Sequence, residues 1–448
     1  MFGSDRLPTF VLATLMVVAG DAVPGTAAEP GRGDFAAVAA RARRLARNGK
    51  AKPADRVAVL AELAEHATPE AAALIATVGL AAADLAARTA ARATLVELAA
   101  DPAVKAHLFA EYRRQSKRPG AVTAEVALVL LAVEADDEHG EFRGLLERMP
   151  RAALLTWTAA VCDAASRACD ATTLTAVRTL ATLRCFSDSL PCRRGVIATL
   201  ARIPEPQAIE TLIDMLDGVR GEARGDVIRH LEAVSGERHG TDVQAWRNWF
   251  AAHRDTAGRA PPPESNPAAA EAPGPDSDGS QATYYDLPIH ADRIVFVLDT
   301  SGSMGGPRLE AAKRELLSAI FGLPDETRFT VVFFNSDVGS WRGMLVQAND
   351  KNKRDAATFV TRLTAGGGTA TSDALQAAFT FDAEAIFLLS DGEPSAGRIV
   401  EPAGIIQFVM RLNRGRAVTV NTIGIMTGEG FLDQLARANH GAFRAVAE

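Results

Sequence analysis

The chain has 448 residues, with 48 Lys and Arg against 55 Asp and Glu for a formal charge of −7, and 48% hydrophobic against 23% charged residues. That balance is ordinary for folded protein and excludes a wholly disordered chain or a polytopic membrane protein. The length suggests two to four domains, and the acidic excess, with only three Tyr and four Trp, excludes a protein built mainly to hold nucleic acid.

Residues 1–28 read as a targeting segment. An apolar stretch runs from Leu7 to about Gly20, shorter than the roughly 20 residues that span a bilayer. Small residues follow (Gly25, Thr26, Ala27, Ala28), as a signal peptidase prefers. Arg6 is the only basic side chain at the front, and Asp5 offsets it. The expectation is a secretory signal cleaved near Ala27 or Ala28, with an uncleaved N-terminal anchor as the alternative. Either places the remainder outside the cytoplasm (secreted, periplasmic or at the cell surface), with no membrane insertion beyond that segment.

Residues 34–254 carry an Ala- and Leu-rich helical pattern. Val57, Leu60, Leu63 and Ala64 recur at three- and four-residue steps and make one apolar face. Thr68-Pro69-Glu70 starts the next helix: Thr caps, Pro fills the first turn and Glu suits the positive end. Further on, Ile209, Leu212, Ile213 and Leu216 form a face. Gly221 separates it from Val227, Ile228, Leu231 and Val234, and Gly236 ends that second helix. Thr241 is expected to cap a last helix in which Trp246, Trp249 and Phe250 share a side. Amphipathic helices with short loops predict an all-α helical-repeat solenoid. Its closing segment, GERHGTDVQAWRNWF (Gly236–Phe250), resembles that of HEAT-repeat regions in secreted bacterial proteins.

The four cysteines, Cys162, Cys169, Cys185 and Cys192, are spaced C-x6-C-x15-C-x6-C. This is not the close-pair spacing of zinc sites. Two disulfides suit an oxidising compartment, with three connectivities open, and four buried thiols are the alternative. Residues 255–282, rich in Pro, Ala, Gly, Ser and acidic residues, read as a flexible linker with nothing to bury.

From 283 to 448 the texture becomes α/β. Expected strands are Arg293–Asp299, Arg328–Asn335, a short edge strand in Gly343–Ala348, Ala385–Asp391, Ala417–Ile425 and a closing AFRAV. Helices are expected after Pro307, over DKNKRDAATFVTRL, over SDALQAAF with Ser372 as its cap, over IIQFVMRL and over FLDQLARA. Near-continuous apolar strands alternating with helices predict a mostly parallel sheet covered on both faces.

Three segments beside these strands carry oxygen-bearing side chains: Asp299-Thr300-Ser301-Gly302-Ser303, Gly366-Gly367-Gly368-Thr369 and Ser390-Asp391-Gly392. In an open α/β sheet the carboxyl ends of strands open into the ligand crevice. Two carboxylates and three hydroxyls, without His or Cys, suit a hard cation such as Mg²⁺.

The combination DTSGS…GGGT…SDG strongly resembles the metal-ion-dependent adhesion site of von Willebrand factor A domains. IFLLSDGEP, RLNRG, VNTIGI and LARANHGAF extend the resemblance to the secreted bacterial branch of that family. It implies a Rossmann-like fold with Asp299, Ser301, Ser303, Thr369 and Asp391 as metal-site residues. Ser301 and Ser303 would ligate directly, Thr369 and Asp391 would alternate between direct and water-mediated contact, and Asp299 would act mainly through water. It further implies Mg²⁺, with Mn²⁺ or Ca²⁺ as alternatives, and a protein partner whose acidic side chain completes the site. The expected function is non-catalytic protein binding or adhesion, and the oligomeric state is left open.

Three rival readings compete with this one. A serine hydrolase would use Ser303, Asp391 and His440 in chain order, but Ser301 stands where the nucleophile elbow wants Gly, and Asp299 and Thr369 would have no role. A helper subunit for an AAA+ ATPase conflicts with the export signal, and the chain has no G-x-x-x-x-G-K-[ST] loop. A helical scaffold carrying a structural A domain would bind partners on the solenoid instead.

Overall fold

The computed structural model describes residues 35–117, 120–255, 282–426 and 430–447. The targeting segment and nearly all of the linker fall outside them. No helix among the described residues is long and apolar enough to cross a membrane.

The first domain is all-α, running from Phe35 to His253. Thr68 caps the helix Pro69–Ile75 by accepting from the Ala71 amide, with Pro69 in the first turn. That helix then widens into a π-helical turn, Ala76–Leu80, which hydrophobic spacing does not reveal. The faces built on Leu60 and Leu63, on Ile209, Leu212 and Ile213, and on Val227, Ile228 and Leu231 are buried. Gly236 ends its helix in the left-handed region, at φ 73°, a conformation that costs glycine little. The cap of the last helix, Val243–His253, is Asp242 rather than Thr241. Its carboxylate accepts from the Ala245 amide and the helix starts one residue later than expected.

Most helices pack against near neighbours in sequence, as in a solenoid. Ala121–Val133 departs from that plan. Val126 through Leu131 are all fully buried, so this helix is enclosed on every side rather than stacked in a single layer. Polar fastening accompanies the enclosure. Arg92, with no exposed side-chain surface, donates to Glu125 at 2.6 Å and to Asp170 at 2.5 Å. The four cysteines are free thiols, three of them buried; the disulfide expectation does not hold.

The second domain is a doubly wound α/β sandwich. Its strands are β1 (Thr283–Tyr284), β2 (Leu287–Pro288), β3 (Arg293–Asp299), β4 (Arg328–Phe334), β5 (Val338–Ser340), β6 (Val346–Gln347), β7 (Ala385–Ser390), β8 (Thr419–Ile425) and β9 (Phe443–Val446). β1 and β2 form a small hairpin. The main sheet runs β5-β4-β3-β7-β8-β9, with β6 also on β4. β4, β3, β7, β8 and β9 are parallel, and β5 and β6 are antiparallel on the edge. The hairpin and β5 were not anticipated, because two- and three-residue strands leave no periodic signal.

Alternation along β3 divides the core. Ile294, Phe296 and Leu298 pack under helices Pro307–Gly322 and Asp350–Thr361. Val295 and Val297 pack under Thr371–Ala378, Pro402–Asn413 and Phe431–Ala438. Both faces are covered, which is why the strands read as unbroken apolar runs. Ser372 does not cap its helix. Thr371 is already helical, Ala370 stands at the cap position with no side-chain bond, and the Ser372 hydroxyl accepts from the Ile399 amide.

The two domains meet at the amino ends of the strands. Arg194 donates to the Ala417 carbonyl at 2.6 Å and to the Thr419 hydroxyl at 2.9 Å. Glu222 accepts from Thr419 at 3.0 Å, and its amide donates to Glu384 at 3.2 Å. Asp226 holds Arg194 in place at 2.6 Å. The carboxyl ends of the strands, at the opposite pole, stay clear of this junction.

Candidate functional site

The chain passes from β3 to β4 on one side of it, then returns to place β7 on the other. Strand order therefore reverses between β3 and β7, and a crevice opens at their carboxyl ends. Asp299 is the last residue of β3, and Ser390 the last of β7.

Backbone bonds knit the three loops there. The Gly302 amide donates to the Gly367 carbonyl at 3.0 Å, and the Gly366 amide to the Thr300 carbonyl at 2.9 Å. Thr300 also donates to the Phe334 carbonyl at the end of β4. Gly367 sits at φ 77°, and a side chain there would strike Ser336, so a tight left-handed turn fixes this loop.

The carboxylates are bonded on every oxygen. Asp299 accepts from the Ser301 amide at 2.7 Å and the Ser390 hydroxyl at 2.5 Å. Asp391 accepts from the Ser303 hydroxyl at 2.7 Å and from Arg308 at 3.1 Å. The Ser301 and Ser303 hydroxyls lie 3.1 Å apart. Burial pushes the Asp299 carboxyl above its ordinary range. Hydrogen bonds from Ser390 and Ser301 pull it back down, and the charge on Asp391 adds a smaller upward push.

Asp299, Ser301, Ser303 and Asp391 thus form one bonded cluster. Thr369 is buried in the loop tied to that cluster, with its amide on the Ser395 hydroxyl at 3.0 Å and its carbonyl accepting from the Ser395 and Ala396 amides. Among the described residues no hydrogen bond joins Thr369 directly to the other four; its loop does so through Gly366 and Gly367. Two carboxylates and the Ser301 and Ser303 hydroxyls, with Thr369 on the tied loop, are the oxygen types that suit a hard divalent cation. No group of three or more His, Cys, Asp or Glu that could hold a metal occurs among the described residues.

Two contributors escaped the sequence reading. Ser390 stands in the sequence only as part of the SDG run, and its bond to Asp299 depends on β3 and β7 being neighbours in register. Arg308 gave no signal at all. His440 lies elsewhere. The preceding Asn439 carbonyl accepts from the Val420 amide near the start of β8, and the His440 ring feels the charges of Arg194 and Asp226 at the domain junction. A seven-residue strand such as β8 measures about 20 Å, so Ser303, Asp391 and His440 do not assemble as a hydrolase triad.

The sheet and its crevice define a doubly wound α/β domain, and comparison with known proteins gives its kind. Residues 292–445 match the family described as von Willebrand factor type A domain; the chain carries such a domain behind its helical region. It is 30% identical over 176 residues to inter-alpha-trypsin inhibitor heavy chain H3 of Homo sapiens, covering 36% of this chain and 20% of that protein. It is 28% identical over 177 residues to inter alpha-trypsin inhibitor, heavy chain 4 of Mus musculus, covering 36% and 19%. The chain therefore spans about a fifth of the length of the curated relatives it matches. Among solved structures, a von Willebrand factor type A protein from Catenulispora acidiphila aligns at 27% identity and TM-score 0.32, over 36% of this chain and 40% of that one. The PilB minor pilin from Streptococcus sanguinis aligns at 14% identity and TM-score 0.27, over 35% and 56%.

Proposed function

We propose that this is a secreted or cell-surface protein that binds another protein through a divalent cation held by Asp299, Ser301, Ser303, Thr369 and Asp391. The supporting observation is the convergence of two carboxylates and their hydroxyl partners where strand order reverses. Mg²⁺ is the cation of choice for this set, with Mn²⁺ and Ca²⁺ as alternatives. When bound, the ion would supply a Lewis-acidic point able to take a partner's carboxylate.

The protein's own residues do the rest. Asp299 and Asp391 supply the negative charge, and Ser301, Ser303 and Thr369 supply neutral oxygens that leave a cation electrophilic. The backbone ties through Gly302, Gly366 and Gly367 hold the loops together in advance. No step of bond making or breaking is assigned to the site, and the function proposed is binding rather than catalysis. The helical domain packs on the amino ends of the strands, which leaves the candidate face open to a partner.

The test is a pull-down from the native envelope or secreted fraction with the full chain as bait, with and without chelator. Capture that disappears on chelation and with Asp299→Ala supports the reading. Chelator-insensitive capture would transfer the binding role to the helical domain.

A further inference from the structure

Arg308 occupies the second position of helix Pro307–Gly322. A helix amino terminus carries partial positive charge, so a cation there is unfavourable by itself. The arginine is offset from another loop. Its Nη1 donates to Asp391 Oδ2 at 3.1 Å and to the Ser303 carbonyl at 3.1 Å. The Asp391 side chain has no exposed surface, while Arg308 keeps 36% of its own. One guanidinium therefore clamps a carboxylate of the candidate site and the backbone of a neighbouring candidate ligand, from the solvent side.

The charge count gives the clamp its meaning. The Asp299 and Asp391 carboxylates are joined through Ser301 and Ser303 by a short chain of hydrogen bonds, and Arg308 is bonded to Asp391 at the open end of that chain. We propose that Arg308 is the site's built-in counter-cation: it holds Asp391 and the Ser303 backbone in place without a metal, and it weakens metal binding by competing for Asp391. This rests on the cation-site reading above and deepens it. The competition follows from the contacts. Any divalent ion that draws on Asp391 must share that carboxylate with a fixed positive charge, which costs affinity even where solvent screens it. The gain is a site that stays assembled when empty, because mutual repulsion of the carboxylates is partly cancelled.

The role separates Arg308 from a purely structural prop. A prop, once removed, would loosen the loops and weaken metal binding. A counter-cation, once removed, strengthens it. Mg²⁺ alone is titrated into the full-length wild type, Arg308→Gln and Arg308→Lys by calorimetry. Each protein is also melted in chelator and in excess Mg²⁺. The expected result is Mg²⁺ binding about fivefold tighter in Arg308→Gln than in wild type, with Arg308→Lys close to wild type because it keeps the charge. In chelator Arg308→Gln melts below wild type, and Mg²⁺ closes the gap. Equal or weaker Mg²⁺ binding by Arg308→Gln, with wild type binding normally, overturns the inference and leaves the cation-site reading intact. Binding by Arg308→Gln where wild type shows none would support it, and absence of binding by all three proteins would overturn both.

Discussion

Arg194, in the helical domain, donates 2.9 Å to the hydroxyl of Thr419, the first residue of β8, across 225 positions of sequence. The same guanidinium is gripped by Asp226 through two bonds, at 2.6 and 3.0 Å. This largely buried pair fastens the helical domain to one pole of the sheet while the candidate metal loops occupy the other.

Replacing Arg194 with Ala should uncouple the domains. Among the described residues it leaves Asp226 paired with Arg229 alone, and it strips Thr419 and the Ala417 carbonyl of a donor. Removing one partner of a mostly buried pair costs about 3 kcal/mol. Scanning calorimetry should show the variant unfolding at lower temperature and in two separated transitions, against a more nearly coincident unfolding of the wild type. Coincident unfolding at the wild-type temperature would mean that the contact fastens nothing.

Arg92 should matter as much inside the helical domain. It serves Glu125 and Asp170 together, and Asp170 also caps the helix Ala171–Ala181. Arg92→Met keeps much of the volume but leaves Asp170 with its helix-cap bond alone and Glu125 with the longer contact to Arg88 at 3.7 Å, with an expected loss of about 3 kcal/mol. Denaturant unfolding followed by far-UV circular dichroism measures it.

Acid should destabilise the protein through two histidines near the domain junction. Burial depresses His230 to about 4. His290 falls to about 3 through burial first and then the charge of Arg229. Both bind their proton more readily when unfolded, so stability is full above pH 6.5 and falls as the pH drops toward those values. Glu384 and Asp292 oppose this, since burial raises both and the folded state then binds their protons more readily. The histidine share is isolated by difference. His230 Nε2 is buried with no hydrogen-bond partner, so His230→Phe should be tolerated at pH 7 and should lose less stability than wild type between pH 6.5 and 5. Parallel pH profiles for the two proteins would contradict the assignment.

The thiols give a further expectation. Cys162, Cys185 and Cys192 are buried and Cys169 is half-buried. Burial pushes the Cys162 thiol up to about 12 and also raises Cys169. An aromatic disulfide reagent should find at most one slowly reacting thiol in the native protein and four after unfolding. Fewer than four after unfolding would indicate a disulfide.

Sequence carries the strands and their order of appearance because residues buried on both faces must be apolar, as residues 294–298 and 385–389 are. It also carries Asp299, Ser301, Ser303 and Asp391 as candidates, since residues just past such strands have one crevice to face. Contacts between distant segments left no such trace. Arg308 reads as an ordinary surface arginine until Asp391, 83 positions away, is placed beside it. Arg194 and Glu222 lie in helices whose apolar spacing says nothing of a second domain. Local ambiguity explains the caps. Thr241 and Asp242 are adjacent and both suit the role, and Ser372 was claimed by Ile399 from a later loop.

The central claim is that these loops hold a divalent cation. Calorimetric titration of Mg²⁺ into the chelator-treated full chain tests it most directly, with Asp299→Ala alongside. One ion per chain for the wild type and no binding for the variant is the predicted result. No binding by wild type and Arg308→Gln alike, or equal affinity in wild type and Asp299→Ala, would contradict it.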